Sequence, residues 1–389
     1  MKILDPLFKT LSNFLSLSNW KDKRHKITLL WMVYSLIQVK EINLPEWIPF
    51  VKSRAKKAQS TERRFSRWVH NKNIEVADIY DPLIKEAIKN WGKEKLYLAL
   101  DTSMLWNEFC QIRICIIYRG RAIPLVWQTI KHSSSRVKLE DYKGLLERAK
   151  TLLPKDVVVV FLADRGFVDI QLMKFLSEKL KWHWRIRYKV SINSYRRGKR
   201  KNFCKLKMTA QYGHARFYHN VYLTNDYYGK VHLAFARHSG YPENWLIASD
   251  EPTSRETFIE YGYRFDIDSG FKDDKSGAFQ LESSKFRDAQ ALTRLYTVIA
   301  VATLFLVSQG VEAVKSGIRQ EIDPHWNRAI SYLKIGLRYV ASAPVRGYKF
   351  IKKVTLSSMP DPEPISSKYG KITNHLRIEQ FKTLTEVFM

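Results

Sequence analysis

The chain is poor in cysteine, short of acid relative to base, and free of any very long apolar run. Three cysteines among 389 residues, Cys110, Cys115 and Cys204, cannot build a disulfide framework or a Cys-rich zinc site and suit a reducing compartment. Lys2 and Asp5 are not followed by an apolar segment with a small-residue cleavage site, so the start does not read as a signal peptide. The most apolar stretch, Leu295 to Val307, holds 13 residues. That falls short of a membrane span and predicts a buried core helix. Together these absences predict a cytoplasmic protein with no membrane partner. No internal repeat is present.

What is abundant is positive charge. There are 66 Lys and Arg against 38 Asp and Glu, a formal net charge of +28. Such a field attracts polyanions, and released counterions supply much of the affinity for nucleic acid. On composition alone, anionic membranes or ribosome-like partners stay open.

Residues 1–92 read as a basic helical domain and a DNA-binding candidate. Leu29, Leu30, Val33, Leu36 and Ile37 recur at helical spacing, and Pro45 and Pro49 interrupt the pattern. A second helix is expected from Ser60 or Thr61 through Trp68, carrying Arg63, Arg64 and Arg67 as DNA-contact candidates. The alternative is a solvated helix face.

Residues 93–182 and 248–323 read as a mixed α/β domain. Leu96 to Leu100 form a short apolar run that ends in Asp101, and Val157 to Ala163 form another that ends in Asp164. Between them lie strand-like segments at Phe109–Ile117 and Ala122–Thr129, joined by Arg119-Gly120-Arg121, and a helix over Leu139–Leu152. Acidic groups beyond the strand ends of such a sheet are well placed for chemistry. Residues 183–247 read as a mainly β insertion. Its loop carries Arg196, Arg197, Lys199, Arg200, Lys201, Lys205 and Lys207 with no acidic residue, a pattern suited to phosphates rather than bases. Long helices are expected over Arg287–Gln309 and Trp326–Val340, the latter in a C-terminal region, 324–389, that is partly flexible.

A lone aspartate at a strand end often only caps a turn. The signal gains weight from a third carboxylate, Asp268, set among Tyr261, Arg264 and Lys275. Tyr, two residues, Arg, three residues, Glu, six residues, Lys is the spaced signature of one group of bacterial insertion-sequence transposases, and Tyr261, Arg264 and Lys275 stand at the matching positions. Leu100-Asp101-Thr102-Ser103 and Asp164-Arg165-Gly166-Phe167 also resemble the sequences around that family's first two carboxylates. The chain therefore resembles DDE transposases of the branch with a β-strand insertion domain, over roughly residues 95–310. It departs where the family has Glu and this chain has Asp268, which is one methylene shorter. Asp266 is a poor substitute, since it lies about 160 degrees from Asp268 on an ideal helix; Asp273 and Asp274 would break the spacing to Lys275.

The resemblance implies an RNase H-like catalytic domain in which Asp101, Asp164 and Asp268 hold Mg²⁺, with Mn²⁺ able to substitute. It implies cleavage of the ends of an insertion element and joining of the freed 3'-hydroxyls to target DNA, through a hairpin at the element end. It assigns Tyr261, Arg264 and Lys275 to the terminal nucleotides and phosphates. It offers Trp182 or Trp184 as the ring that stacks on a flipped base. The partners implied are double-stranded DNA, as terminal inverted repeats and target, and a second copy of the chain in a synaptic dimer, in the nucleoid of a bacterial cytosol. Carboxylates fit the task because two Mg²⁺ ions roughly 3.5–4 Å apart can serve both oxygens of an in-line displacement, and Mg²⁺ prefers hard oxygen ligands. Two rival readings remain: a nuclease on the same fold that cuts without joining, and a catalytically silent DNA-binding protein. A glycosidase with paired carboxylates is at odds with the charge of +28.

Overall fold

The computed structural model describes residues 5–189, 191–198, 202–237, 244–365 and 382–388. Its centre is a single mixed sheet. The strands are β1 (Lys95–Leu105), β2 (Phe109–Tyr118), β3 (Arg121–Lys131), β4 (Val158–Ala163), β5 (His183–Arg187), β6 (Ser194–Arg197), β7 (Phe203–Lys205), β8 (His214–Leu223), β9 (Tyr228–Arg237), β10 (Trp245–Ser249) and β11 (Lys382–Val387). They lie in the order β3-β2-β1-β4-β5-β10-β9-β8-β6-β7, and β11 pairs with β8. β1, β4 and β5 run parallel, flanked on one side by the antiparallel pairs β1–β2 and β2–β3 and on the other by antiparallel β10.

The segment expected to open the β insertion, from residue 183, is instead a strand of the parallel centre. β5 takes its place because Val160 to Ala163 of β4 pair with His183 to Ile186. β10 then pairs with both β5 and β9, so β8 and β9 continue the same sheet. Within the basic 196–207 stretch, β6 and β7 form a hairpin rather than an unstructured loop. Lys199, Arg200 and Lys201 lie outside the described residues.

Residues 5–92 fold mainly as helices, among them Lys23–Val39, Ala58–His70 and Val76–Ile88. Leu29, Leu30, Val33, Leu36 and Ile37 are all buried, as their spacing requires. The helix Leu139–Leu152 has the bounds its sequence predicts. The apolar run 295–307 belongs to a longer helix than its length suggested, Ala289–Lys315, started by Asp288, whose carboxylate accepts from the Ala291 N–H. That helix is long and apolar enough to cross a membrane, but 94% of its most apolar window is buried inside the protein. It crosses the helix Tyr332–Arg346 so closely that a Cβ on Gly336 would sit 1.9 Å from the Leu306 carbonyl. The latter helix starts later than Trp326, at Tyr332, and is capped by Ser331, whose hydroxyl accepts from the Lys334 N–H. Residues 325 and 326 are not helical, and their carbonyls accept from the Arg319 guanidinium at 2.8 and 2.9 Å.

Alternation along the strands decides what faces the site. Leu96, Leu98 and Leu100 of β1, with Val159, Phe161 and Ala163 of β4, join the main core. Ala99 of β1 and Val160 and Leu162 of β4 lie on the other face, with Cys115, Ile117 and Ala122, and pack under Ile267 and Phe271. Further along that face, Ala215, Phe217, Ala234, Ala236, Trp245 and Ile247 pack under Phe258 and Tyr261. One segment, residues 255–277, thus lies across the sheet from the outer strands to the centre.

Candidate active site

Asp101 has the strand parity of Ala99, and Asp164 that of Leu162, so both carboxylates start on the face covered by residues 255–277. β1 and β4 are paired up to Leu100 and Ala163. Asp101 and Asp164 are therefore the next residues on two adjacent parallel strands, whose backbones run about 4.8 Å apart. β1 does not end at Asp101 as its apolar run suggested. It continues to Leu105 against β2, with Asp101 opposite Arg113, and loses only its β4 partner at that point. Asp164 leaves the sheet into a single 3-10 turn, Arg165–Phe167.

The covering segment is a helix Arg255–Gly262, a 3-10 turn Tyr263–Phe265 and a helix Asp266–Lys272. Ser254 caps the first helix, accepting from the Glu256 N–H at 3.2 Å. This path brings Tyr261, Arg264 and Lys275 to the strand ends. The Tyr261 hydroxyl lies 3.4 Å from Asp164 Oδ1. Arg264 donates from Nη1 to Asp101 Oδ2 at 2.9 Å and from Nη2 to Asp268 Oδ2 at 3.2 Å. Lys275 donates from Nζ to the Met104 carbonyl, three residues beyond Asp101, and lies 3.6 Å from Glu282. The second oxygen of Asp101 accepts from the Thr102 N–H at 2.7 Å.

Burial pushes the Asp101 carboxyl up to about 6 from an ordinary 3.8; Arg264 and the Thr102 N–H oppose the rise, while Asp268 and Asp164 add to it. Burial works against the charge of Arg264 as well, but Tyr261, Asp268, Asp101 and Asp164 outweigh it and hold its pKa above the usual value. Asp101 and Arg264 are largely buried, whereas Asp268 is about half exposed, with 49% of its side chain open. The cluster is rich in carboxylates and already contains one cation, the guanidinium of Arg264. The neighbouring acids are otherwise engaged. Asp274 pairs with Arg113 and accepts from Tyr296, and Asp273 lies 3.2 Å from Arg121.

The other predicted contact residues divide by exposure. Trp184 is fully buried, with Nε1–H donating to Ser177 at 2.9 Å, and Trp182 is buried against Phe161. Neither ring has a free face for a base, which corrects the stacking role expected of them; alternation along β5 sends Trp184 into the main core. Tyr261 is also fully buried, so it reaches Asp164 rather than DNA. Arg63 and Arg67 are exposed on the helix Ala58–His70, whereas Arg64 is half-buried over Phe65. His70, at the end of that helix, packs on Phe286, and Arg287 covers Trp106 just past β1. Arg196 and Arg197 are exposed on β6, five strand positions from β4, or about 24 Å along the sheet.

Sequence reasoning missed the ionic network behind the covering segment. Glu260 is buried and accepts from Arg185 Nε at 2.8 Å and Lys95 Nζ at 2.7 Å. Arg185 also reaches Glu251, at 2.6 Å, and Asp250, at 3.5 Å. A Glu next to the signature Tyr was the available signal. Among the described residues, His183, Asp250 and Glu251 form a group whose possible ligand atoms all lie within 4.8 Å of one another, a set that could hold a metal ion. Asp101, Asp164 and Asp268 do not converge that closely; the Arg264 guanidinium bridges two of them.

No protein-family model matches the chain, and no curated protein matches it. Among solved structures, the chain is similar to piggyBac transposase in a cryo-EM structure of its synaptic complex with hairpin DNA, with 10% identity and a TM-score of 0.44, covering 95% of this chain and 89% of that one. It is also similar to Marinitoga piezophila Argonaute in a crystal structure with a 5'-OH guide RNA and target DNA, with 12% identity and a TM-score of 0.23, covering 57% of this chain and 34% of that one.

Proposed function

We propose that the protein is a divalent-metal-dependent DNA transposase of the DDE type, with Asp101, Asp164 and Asp268 as its metal-holding carboxylates. The observation that carries this is that Asp101 and Asp164 directly follow the last paired residues of two adjacent parallel strands, on the face to which the covering segment brings Asp268. A mixed sheet with such a pair supports the RNase H-like reading of the fold.

The donor set fits a hard cation. It offers carboxylate oxygens without thiol or imidazole, and its need for positive charge is visible in the bridging Arg264. When bound, Mg²⁺ or Mn²⁺ supplies charge stabilisation for the attacking and leaving oxygens of the phosphodiester. The chain's own residues do the rest. Asp101 is held in place by the Thr102 N–H, and Asp164 is oriented by the Tyr261 hydroxyl. Arg264 and Lys275 are cations bordering the carboxylates that could meet a phosphate. Arg63 and Arg67 suit the flanking duplex backbone, and Arg196 and Arg197 suit a stretch too far from the carboxylates to be the scissile one. The reading extends to joining of 3'-hydroxyl ends to target DNA by a synaptic dimer, with a hairpin as the excision route the sequence resemblance implies, in a bacterial cytosol.

The test is strand transfer. Supplied with Mg²⁺, a pre-cleaved element end bounded by the inverted repeats that flank the coding region, and a second duplex, the protein is expected to join the two. Cleavage without joining would leave a nuclease; activity unchanged in Asp101→Asn and Asp164→Asn would overturn the site.

A further inference from the structure

Arg264 occupies an unusual position for a residue expected to meet DNA. Its side chain is only 8% exposed, and both terminal nitrogens are committed to carboxylates of the site. Asp101 has no oxygen left without a donor, since Oδ1 takes the Thr102 N–H and Oδ2 takes Arg264. Arg264 sits on the 3-10 turn between the two helices of the covering segment, so its bond to Asp101 ties that segment to β1, and its bond to Asp268 ties the segment to itself. The Arg264 Nε–H, in addition, is buried and has no acceptor among the described residues. The guanidinium is thus firmly held yet not fully satisfied.

A cation that enters between Asp101 and Asp268 meets this guanidinium first. It must compete for Asp101 Oδ2 and pay the repulsion of a fixed positive charge beside a largely buried carboxylate. A phosphate oxygen changes the balance. It offers a planar fork the bidentate acceptor it prefers and can use the idle Nε–H, so the guanidinium gains bonds by turning towards it. We infer that Arg264 is a latch that keeps the carboxylates closed to divalent metal until a DNA phosphate draws its guanidinium away. Metal loading and DNA binding are then coupled, and by linkage each strengthens the other. The protein would hold little metal in the cell until it engages an element end, which guards against cutting at random. This inference rests on the three-carboxylate reading of the site.

The test is Mn²⁺ binding to the full-length, DNA-free protein, followed by the electron paramagnetic resonance signal of free Mn²⁺. Arg264→Gln keeps a polar side chain but removes its charge, and is expected to bind Mn²⁺ at least about tenfold more tightly than wild type, within the usual range for coupled sites. Arg264→Lys keeps a charge but cannot bridge both carboxylates, and is expected to fall between the two; it serves if the Gln variant does not fold. Duplex DNA is expected to tighten Mn²⁺ binding by wild type and to leave the Arg264→Gln affinity unchanged. Equal Mn²⁺ affinity in wild type and both variants, with affinity lost in Asp101→Asn, would overturn the latch and leave the carboxylate site standing. Mn²⁺ affinity indifferent to Asp101→Asn in the Arg264→Gln background would overturn the site and the latch together.

Discussion

Two arginine–carboxylate clusters lie at opposite ends of one short segment, and they do opposite things. Arg264 joins Asp101 and Asp268, with Asp268 open to solvent. Ten residues further on, Asp274 joins Arg113 and Tyr296, with the Arg113 side chain 1% and Asp274 7% exposed, and with Arg113 lying 3.8 Å from the centre of the Phe271 ring. The chemistry of the pairs is the same; access differs. A sealed pair holds the covering segment to β2 and stays as it is, because separating it would strand a charge in the core. An open pair beside a third carboxylate can exchange its partner for a ligand.

The largest effect expected at the open cluster is on activity. Asp101→Asn should lower Mg²⁺-dependent strand cleavage by about a thousandfold or more, the scale on which losing a group that stabilises developing charge is felt, while the folded protein remains. A gel assay of a labelled end duplex, with circular dichroism of the same sample, measures both. At the sealed cluster the effect should fall on stability instead. Asp274→Ala leaves Arg113 buried without its partner and is expected to cost about 3–5 kcal/mol, read from urea denaturation. If Asp274→Ala left stability untouched, the contrast between the clusters would collapse.

The pH response sharpens the same contrast. Burial, then the nearby carboxylates, place Asp101 at about 6 in the folded chain against an ordinary 3.8. The folded state therefore binds this proton more tightly than the unfolded one. The stability this contributes is full below about 3.8 and is lost as pH rises through about 6. Metal-free wild type is expected to lose stability across that window relative to Asp101→Asn, and to gain Mn²⁺ binding across it. Denaturation midpoints of the two proteins that run parallel over this range would count against the buried placement of Asp101. The smallest expected effect is Asp268→Ala on stability, below about 1 kcal/mol, since a half-exposed ion pair is weakly stabilising. The same variant should still lose metal-dependent cleavage, a separation that differential scanning calorimetry alongside the gel assay would reveal.

Much of the arrangement around Asp101 and Asp164 was legible because it depends on local pattern. Leucine at every second residue from 96 to 100 sends the intervening positions to the other face, and the valine run from 157 ends at a residue that must leave the sheet. The helix Leu139–Leu152 was equally local. The role of β5 was not legible. Trp184-Arg185-Ile186 reads as a half-buried strand anywhere, and only pairing with β4 makes it central. The same pairing buries Trp184, so a ring that looked available to a base is core. Arg113, in a run of isoleucines and cysteine, gave no hint that Asp274, 161 residues away, would answer its charge.

The sequence by itself determined that the chain carries a strong positive field, that two strands deliver aspartates, and that Tyr261, Arg264, Asp268 and Lys275 share one short segment. These follow from composition and from periods of two and 3.6 residues, which act over a few neighbours. Only the tertiary structure decided which of those groups can meet a ligand. Burial turned Tyr261 and Trp184 inward, set Arg264 across Asp101 and Asp268, and left Asp268 at the surface, because exposure and charge pairing depend on residues that are distant in the chain and brought close only by the sheet.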